Sequence, residues 1–168
     1  MLFRSDGASV KFATTAYERS GNKVYYIAFA TEVAIGADDY ENVVSCGKTF
    51  VADETAFKQY ATERNEAMNA EGAYEQYIYR KICVAQYRLA DKEAALSDAK
   101  IYLGGKFPQN NALTAVLLEA IKTGDKQTAA AALQTMQTLK TEQGAALSSD
   151  DAKRLDDLIA ATGEWLNG

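Results

Sequence analysis

Residues 110–140 carry the clearest pattern of apolar and polar positions in the chain. Apolar residues recur every three or four positions on both sides of a short turn: Leu113, Val116, Leu117 and Ala120 before it, and Ala129, Leu133 and Met136 after it. In the turn, Gly124 can adopt the left-handed conformation that ends a helix, and Asp125 can cap the next helix. The pattern therefore predicts two short antiparallel helices.

The same pattern occurs earlier in the chain, with Ala95 in the place of Ala129. Ala95, Ala99 and Tyr102 repeat the offsets of the later second helix, and a helix predicted over 73–89 precedes them. That helix ends in Ala-Asp-Lys, which matches Gly-Asp-Lys in the later unit. Pro108 stands where the second helix of this unit is expected to stop.

This recurrence resembles the tetratricopeptide repeat, a helix–turn–helix unit of about 34 residues. Residues 110–140 and 77–108 carry the resemblance, through small and large residues at the repeat's characteristic positions. The resemblance implies an all-α fold, a right-handed α-solenoid of antiparallel helical hairpins over residues 6–147. It also implies that the chain binds other proteins in a concave groove.

Residues 12–29 can be interpreted either as two strands around a Ser-Gly-Asn turn or as two helices. The nearly continuous apolar run at 24–30 lacks the alternation of a strand and favours helices. We expect a first helix through residues 8–19 and then a hairpin interrupted at Gly-Ala-Asp-Asp, 36–39. The residues expected to face the core are Ala8, Phe12 and Thr15 in the first helix, and Tyr26, Phe29, Ala30 and Val33 in the second.

Two further helices complete the expected array. The distance from Val43 to Ala95 is longer than one repeat, and the surplus at 52–70 is predicted to form a more polar helix. Either this is an inserted helix, or the middle of the array uses longer helices than the consensus repeat. Residues 148–168 are predicted to form a C-terminal capping helix, capped by Ser148 or Ser149. Its apolar face comprises Leu155, Leu158, Ile159, Thr162 and Leu166.

The start of the chain differs from the rest. Residues 1–5 are predicted to be a non-native or disordered tail, because residues 2–5 match what the end of a common sequencing adapter encodes. The array then opens on the second helix of a repeat without its first. We therefore expect the gene to be truncated upstream.

Composition narrows the classes of function. The 168 residues carry a net charge of −5 and no histidine, which disfavours nucleic-acid binding, most zinc sites and histidine-dependent catalysis. No apolar run is long enough for a membrane helix, and Cys46 and Cys83 are expected to be reduced structural thiols. We expect no cofactor, no metal and no enzymatic activity.

One segment resembles a nucleotide-binding motif without completing it. Gly47-Lys48-Thr49 matches the end of a phosphate-binding loop, but Asn42 stands where that loop needs glycine. We predict instead that Gly47 is a close-packing point between helices and that Lys48 is a solvated helix residue.

The helix at 73–89 carries the candidate binding site. Its core stripe is predicted to comprise Tyr74, Ile78, Ile82, Ala85 and Leu89. By the resemblance, the residues that line the groove and contact a partner are Tyr77, Arg80, Lys81, Val84 and Arg88. These side chains suit a segment that carries a carboxylate. The equivalent positions of the next unit hold Asn111, Thr114, Ala115, Leu118 and Lys122, which do not complete a carboxylate clamp.

The expected function is therefore that of a protein-interaction scaffold or adaptor that binds a protein or peptide segment. Two alternatives stay open. In the first, the chain is the C-terminal part of a larger enzyme or sensor and positions its substrate or regulates it. In the second, the chain serves self-association. The sequence leaves the compartment undecided, with the cytoplasm weakly favoured.

Overall fold

The computed structural model describes residues 7–21 and 23–168, so the predicted tail at 1–5 lies outside the described residues. All regular structure in the described residues is helical, which confirms the all-α prediction; the strand interpretation of 12–29 is wrong. The helices are α1 (Gly7–Arg19), α2 (Val24–Gly36), α3 (Tyr40–Ala52), α4 (Glu54–Met68), α5 (Ala73–Arg88), α6 (Lys92–Leu103), α7 (Ala112–Thr123), α8 (Lys126–Gln143) and α9 (Ser149–Asn167), with a 3₁₀ turn at Gly144–Ala146 before α9.

Three helix pairs share one turn geometry, at residues 38–39, 90–91 and 124–125. In each turn the first residue has a left-handed φ, of 53°, 65° and 71°. The second is an aspartate whose carboxylate accepts a hydrogen bond from the N–H three residues later, at 3.2, 3.3 and 3.0 Å. Its own N–H donates to the carbonyl five residues earlier, at 3.0, 2.9 and 2.8 Å. Each turn thus closes one helix and caps the next.

These turns join α2 to α3, α5 to α6 and α7 to α8, and the helices of each pair pack against each other. Because two or three residues connect two helices in contact, each pair forms a helical hairpin. The second and third turns are one repeat length apart, as the recurrence in the sequence requires. Gly124 ends α7 and Asp125 caps α8, which confirms both predictions.

The connection between α6 and α7 differs from the prediction. Helix α6 ends at Leu103, well before Pro108, because Gly104 and Gly105 both take left-handed φ angles. The expectation that Pro108 marks the end of the helix is therefore wrong. The linker is fixed at its far end by Asn111, which caps α7 and donates to the Pro108 carbonyl at 2.9 Å.

Helix α5 lies at the centre of the packing. It contacts α3, α4, α6 and α7, and it contributes buried side chains to both hydrophobic clusters of the fold. The first cluster joins α1 to α5, and the second joins α5 to α9. Neighbouring hairpins are thus connected mainly through this helix.

Helix α4 confirms the predicted additional helix and is accommodated by aromatic packing. Phe57 of α4 packs against Phe50 with ring centroids 4.9 Å apart and against Tyr79 at 5.5 Å. Tyr60 packs against Tyr74 at 5.7 Å. Contacts of this kind stabilise by about 0.5–1.5 kcal/mol each beyond the area that they bury.

Polar side chains also attach α4 to its neighbours. Asn65 is buried and accepts from the Tyr74 N–H at 2.8 Å, while its amide donates to Glu75 at 2.7 Å. Asn65 therefore supplies the N-terminal cap of α5, where Gly72 has no side chain to do so. Glu32 of α2 accepts from the Tyr74 hydroxyl at 2.7 Å and pairs with Arg64 of α4 at 3.4 Å.

The predicted core faces of α1 and α2 are partly wrong. Phe12 is 74% exposed and Ala8 is also exposed, whereas Val10 and Ala13 are the buried residues of α1. In α2, Ala30 is buried and Val33 half-buried, but Phe29 is 52% exposed and Tyr26 is exposed as well. Helix α2 is apolar on nearly every side, so its sequence does not identify which side packs.

The C-terminal helix matches its prediction. Ser148 accepts from the Asp151 N–H at 3.1 Å and caps α9, as one of the two expected serines. Leu155 and Thr162 are buried, and Leu158, Ile159 and Leu166 are half-buried against the second cluster. Asp156 and Asp157 are exposed on the opposite side.

Candidate functional site

The candidate site lies on α5, and packing fixes the orientation of that helix. Tyr74, Ile78, Ile82 and Ala85 are buried as predicted. Leu89 was expected to continue this stripe, but it is 42% exposed. The reason is that α5 ends at Arg88, so Leu89 belongs to the turn and no longer follows the helical spacing.

Three of the five predicted contact residues line one cleft, which we call the apolar cleft. Lys81, Val84 and Arg88 of α5 lie opposite the end of α2 and the start of α3. Its apolar lining comprises Ile35, Tyr40, Val43, Val84 and Ala85, which are buried or half-buried, and its exposed charged residues are Asp38, Lys81 and Arg88. The volume is about 180 Å³.

The wall opposite α5 was not predicted from the sequence. Ile35 and Val43 belong to the preceding hairpin, and a sequence pattern does not show which turn lies beside which helix. The repeat register could have identified this wall, because the register places the α2–α3 hairpin before α5 in the array.

Tyr77 lies one turn before the apolar cleft on the same stripe of α5. Its ring is 6.3 Å from that of Tyr74, and the Lys81 ammonium lies 5.7 Å from its centroid, within cation–π range. Burial raises the pKa of Tyr77, with Glu32 adding to the effect. Tyr77 thus positions the Lys81 side chain along the cleft.

Arg88 is already occupied by a carboxylate of the chain itself. Its guanidinium forms an ion pair with Glu119 of α7, whose Oε2 is shielded from solvent. Lys81 makes no ion pair with any described residue. Lys81 is therefore the cation at this cleft that is available to a partner's carboxylate.

Arg80 is not brought together with the other predicted residues. It lines a second cleft, formed by the first half of α5 and the α6–α7 linker, which we call the polar cleft. Lys106 and Pro108 of the linker also line it. Lys106 was missed because isolated lysines in linkers carry no sequence signal.

The groove positions of α7 do not add a second set of polar contacts. Asn111 is buried, and both ends of its amide are used within the chain, one by the Thr114 N–H and the other by the Pro108 carbonyl. Leu118 is exposed, and so is Lys122. The Asn111 side chain is therefore used within the fold and not presented to a partner.

The two cysteines are buried free thiols. Burial raises the pKa of both Cys46 and Cys83, so these thiols stay protonated and are poor nucleophiles. No group of three His, Cys, Asp or Glu residues in 7–21 and 23–168 is arranged to hold a metal ion. Within the same residues, every helix is too short or too polar to cross a lipid bilayer.

What the apolar cleft can do chemically is receive one apolar side chain beside a cation.

Neither a protein-family model, nor a curated protein, nor a solved structure matches this chain.

Proposed function

We propose that the chain is a protein-interaction module. Its helical hairpins form a right-handed solenoid of the tetratricopeptide type, and the apolar cleft takes one apolar side chain from an extended segment of a partner protein. An acidic residue next to that side chain pairs with Lys81.

The recurring turn supports the solenoid. The same left-handed residue and aspartate cap join three hairpins, two of them one repeat length apart. In addition, α5 contacts both the preceding α3 and the following α7. Repeat proteins stack their units in this way, each on its neighbours in the chain.

The observation that carries the binding proposal is the meeting of Lys81 and Val84 with Ile35 and Val43 around the apolar cleft. At about 180 Å³, the cleft is smaller than the roughly 300–1,000 Å³ of small-molecule sites. That size suits a single side chain better than a cofactor. The unpaired Lys81 ammonium then favours a carboxylate beside it.

The expected affinity is low. Burying one leucine-sized side chain contributes about 1.5–3 kcal/mol, and an exposed charge pair adds about 0.2–1 kcal/mol. The sum, about 1.7–4 kcal/mol, reaches at its upper end the value of about 4.1 kcal/mol for a millimolar complex, so a dissociation constant of about 1 mM or weaker is expected. Arg88 contributes little, because Glu119 already holds its guanidinium.

The proposal is tested by NMR titration of the ¹⁵N-labelled chain with the capped peptide acetyl-Gly-Leu-Asp-Gly-amide. We expect saturable shifts of the amides of residues 35–43 and 81–88. A peptide with Ser for Leu is expected to bind at least about tenfold more weakly. A peptide with Asn for Asp is expected to bind up to about fivefold more weakly.

Charge-matched variants make the test specific. Lys81→Glu is expected to weaken binding at least about threefold, whereas Lys100→Glu leaves it unchanged. Lys100 lies on α6, is exposed and forms no ion pair with a described residue. Val84→Lys fills the cleft with a charged chain and is expected to abolish binding. The proposal would be refuted if the Ser peptide caused the same chemical-shift changes as the Leu peptide, or if the changes occurred at residues away from α5.

A further inference from the structure

The polar cleft is a second cavity, distinct in lining and chemistry from the apolar cleft. Its volume is about 540 Å³, within the range of small-ligand sites. Gln76 and Arg80 line it from α5, and Lys106, Pro108 and Gln109 line it from the linker.

The charge of this cavity is opposite to that of the whole chain. Arg80 and Lys106 make no ion pair with any described residue. Glu71, which is exposed, contributes the one carboxylate among the lining residues. The lining thus has a net charge of +1, from two cations and one anion, on a chain whose net charge is −5.

Two polar atoms in the lining residues lack hydrogen-bond partners. Arg80 Nε and Gln76 Oε1 are shielded from solvent, and neither has a partner among the described residues. Buried polar groups in native proteins are nearly always hydrogen-bonded. Of the two, the Arg80 Nε–H is a donor, so the guanidinium beside this cavity has an N–H that no acceptor of the described residues uses.

We propose that the polar cleft binds an oxyanion, a carboxylate or phosphate group, between Arg80 and Lys106. The Arg80 guanidinium offers N–H donors in a planar fork that fits two oxygens of either group. The Lys106 ammonium supplies the second charge, and the Gln109 amide can donate as well. The site does not depend on the apolar cleft, because the two share no lining residue.

The experiment is an NMR titration of the ¹⁵N-labelled chain with inorganic phosphate and, in a second arm, with acetate. Both arms are run at low and constant ionic strength against chloride, because screening weakens exposed charge contacts. We expect saturable shifts at residues 71–80 and 104–110, with a dissociation constant on the order of 1–10 mM, as for a few exposed charge contacts.

The variants Arg80→Gln and Lys106→Gln are each expected to weaken binding at least about threefold. The second lies in a linker, so it tests the site even if the first disturbs α5. The control, Lys100→Gln with Lys153→Gln, changes the net charge by two units at exposed positions of α6 and α9 and is expected to bind as the unaltered chain does.

The two arms also identify the source of the anion. Saturation by phosphate alone indicates a phosphorylated ligand, and saturation by acetate indicates a carboxylate. The proposal would be overturned if the chemical-shift changes stayed linear with concentration in both arms. It would also be overturned if the control variant lowered the affinity as much as Arg80→Gln does. A failed peptide titration at the apolar cleft leaves this result untouched, since the probes differ.

Discussion

Gly47 of α3 lies directly against the Ile82 side chain of α5. A Cβ atom added at Gly47 would be 2.7 Å from Ile82 Cγ1 and 3.0 Å from Cδ1, closer than side chains pack. This contact confirms the prediction that Gly47 is a close-packing point. Gly47-Lys48-Thr49 lies inside α3, so this segment is not a phosphate-binding loop.

We predict that Gly47→Ala destabilises the fold. Overpacking a core typically costs about 1–3 kcal/mol, and the better helix propensity of alanine returns about 1 kcal/mol. Ile82 is fully buried and branched at Cβ, so it has little freedom to move aside. The net loss, up to about 2 kcal/mol, is measured by urea denaturation.

The matched control is Gly163→Ala in α9. Apart from the backbone of α9 itself and the two neighbouring residues, no described atom lies within 4 Å of a Cβ added there, so only the helix propensity changes. We expect a gain of about 0.5–1 kcal/mol. Equal effects at the two glycines would show that helix propensity, and not the contact with Ile82, sets the result.

A second prediction concerns the left-handed residue of the hairpin turns. Ala90 has φ 65°, at the position where the later turn has Gly124 with φ 71°. The left-handed conformation costs a non-glycine residue about 1–2 kcal/mol, and a glycine adds about 0.4–1 kcal/mol of unfolded-state entropy.

We therefore expect Ala90→Gly to stabilise the chain by roughly 0.5–1 kcal/mol and Gly124→Ala to destabilise it by a similar amount. Thermal unfolding of both variants measures the effect. Shifts of the same sign would contradict the equivalence of the two turns.

Asp125 gives the fold a predictable dependence on pH. Its hydrogen bond to the Lys92 ammonium, together with that from the Thr128 N–H, lowers the pKa of Asp125 well below its ordinary value of 3.8. A carboxylate with a lowered pKa stabilises the folded state above its unfolded pKa. That contribution decreases as the pH falls below about 4.

We predict that Asp125→Asn costs about 0.7–2.5 kcal/mol at pH 7, because asparagine keeps the cap but loses the ion pair with Lys92 and the oxygen that accepts from the Thr128 hydroxyl. Asp125→Ala also loses the cap and is expected to cost about 1 kcal/mol more. Urea denaturation at pH 7 and pH 3 should show the difference between the unaltered chain and the Asp125→Asn variant shrinking in acid. A difference that grows in acid would contradict this assignment.

The sequence predicted the helices better than their faces. Turn residues such as Asp125 and Gly124 act locally, so their roles follow from the residues themselves. In α2 the exposed Phe29 and the buried Thr31 contradict what hydrophobicity suggests, because the helix is apolar all round and its neighbours select the side that packs.

In the candidate site, too, local sequence predicts some features and only packing determines the others. Helical spacing alone places Lys81, Val84 and Arg88 on one stripe of α5. Arg80, one position before Lys81, falls at the edge of that stripe and reaches the other cleft. The partner of Arg88 is Glu119, which is distant in the chain, and only the packing of α7 on α5 brings the two together.

The last prediction concerns this Arg88–Glu119 pair, which decides whether Arg88 serves binding or the fold. The side chains are 34% and 19% exposed, so the pair is neither fully solvated nor fully buried. Exposed pairs contribute about 0–1 kcal/mol, and breaking a buried pair costs about 3–5 kcal/mol. We expect Arg88→Glu to cost about 1–2 kcal/mol, since it places two carboxylates side by side.

The double variant Arg88→Glu with Glu119→Arg restores opposite charges and is expected to recover at least half of that loss. Urea denaturation of the two single variants and the double variant gives the coupling directly. If Arg88→Glu left stability unchanged, the ion pair would not hold α5 to α7. Arg88 would then be a second cation for a partner's carboxylate, and the same variant would weaken binding of the Leu-Asp peptide.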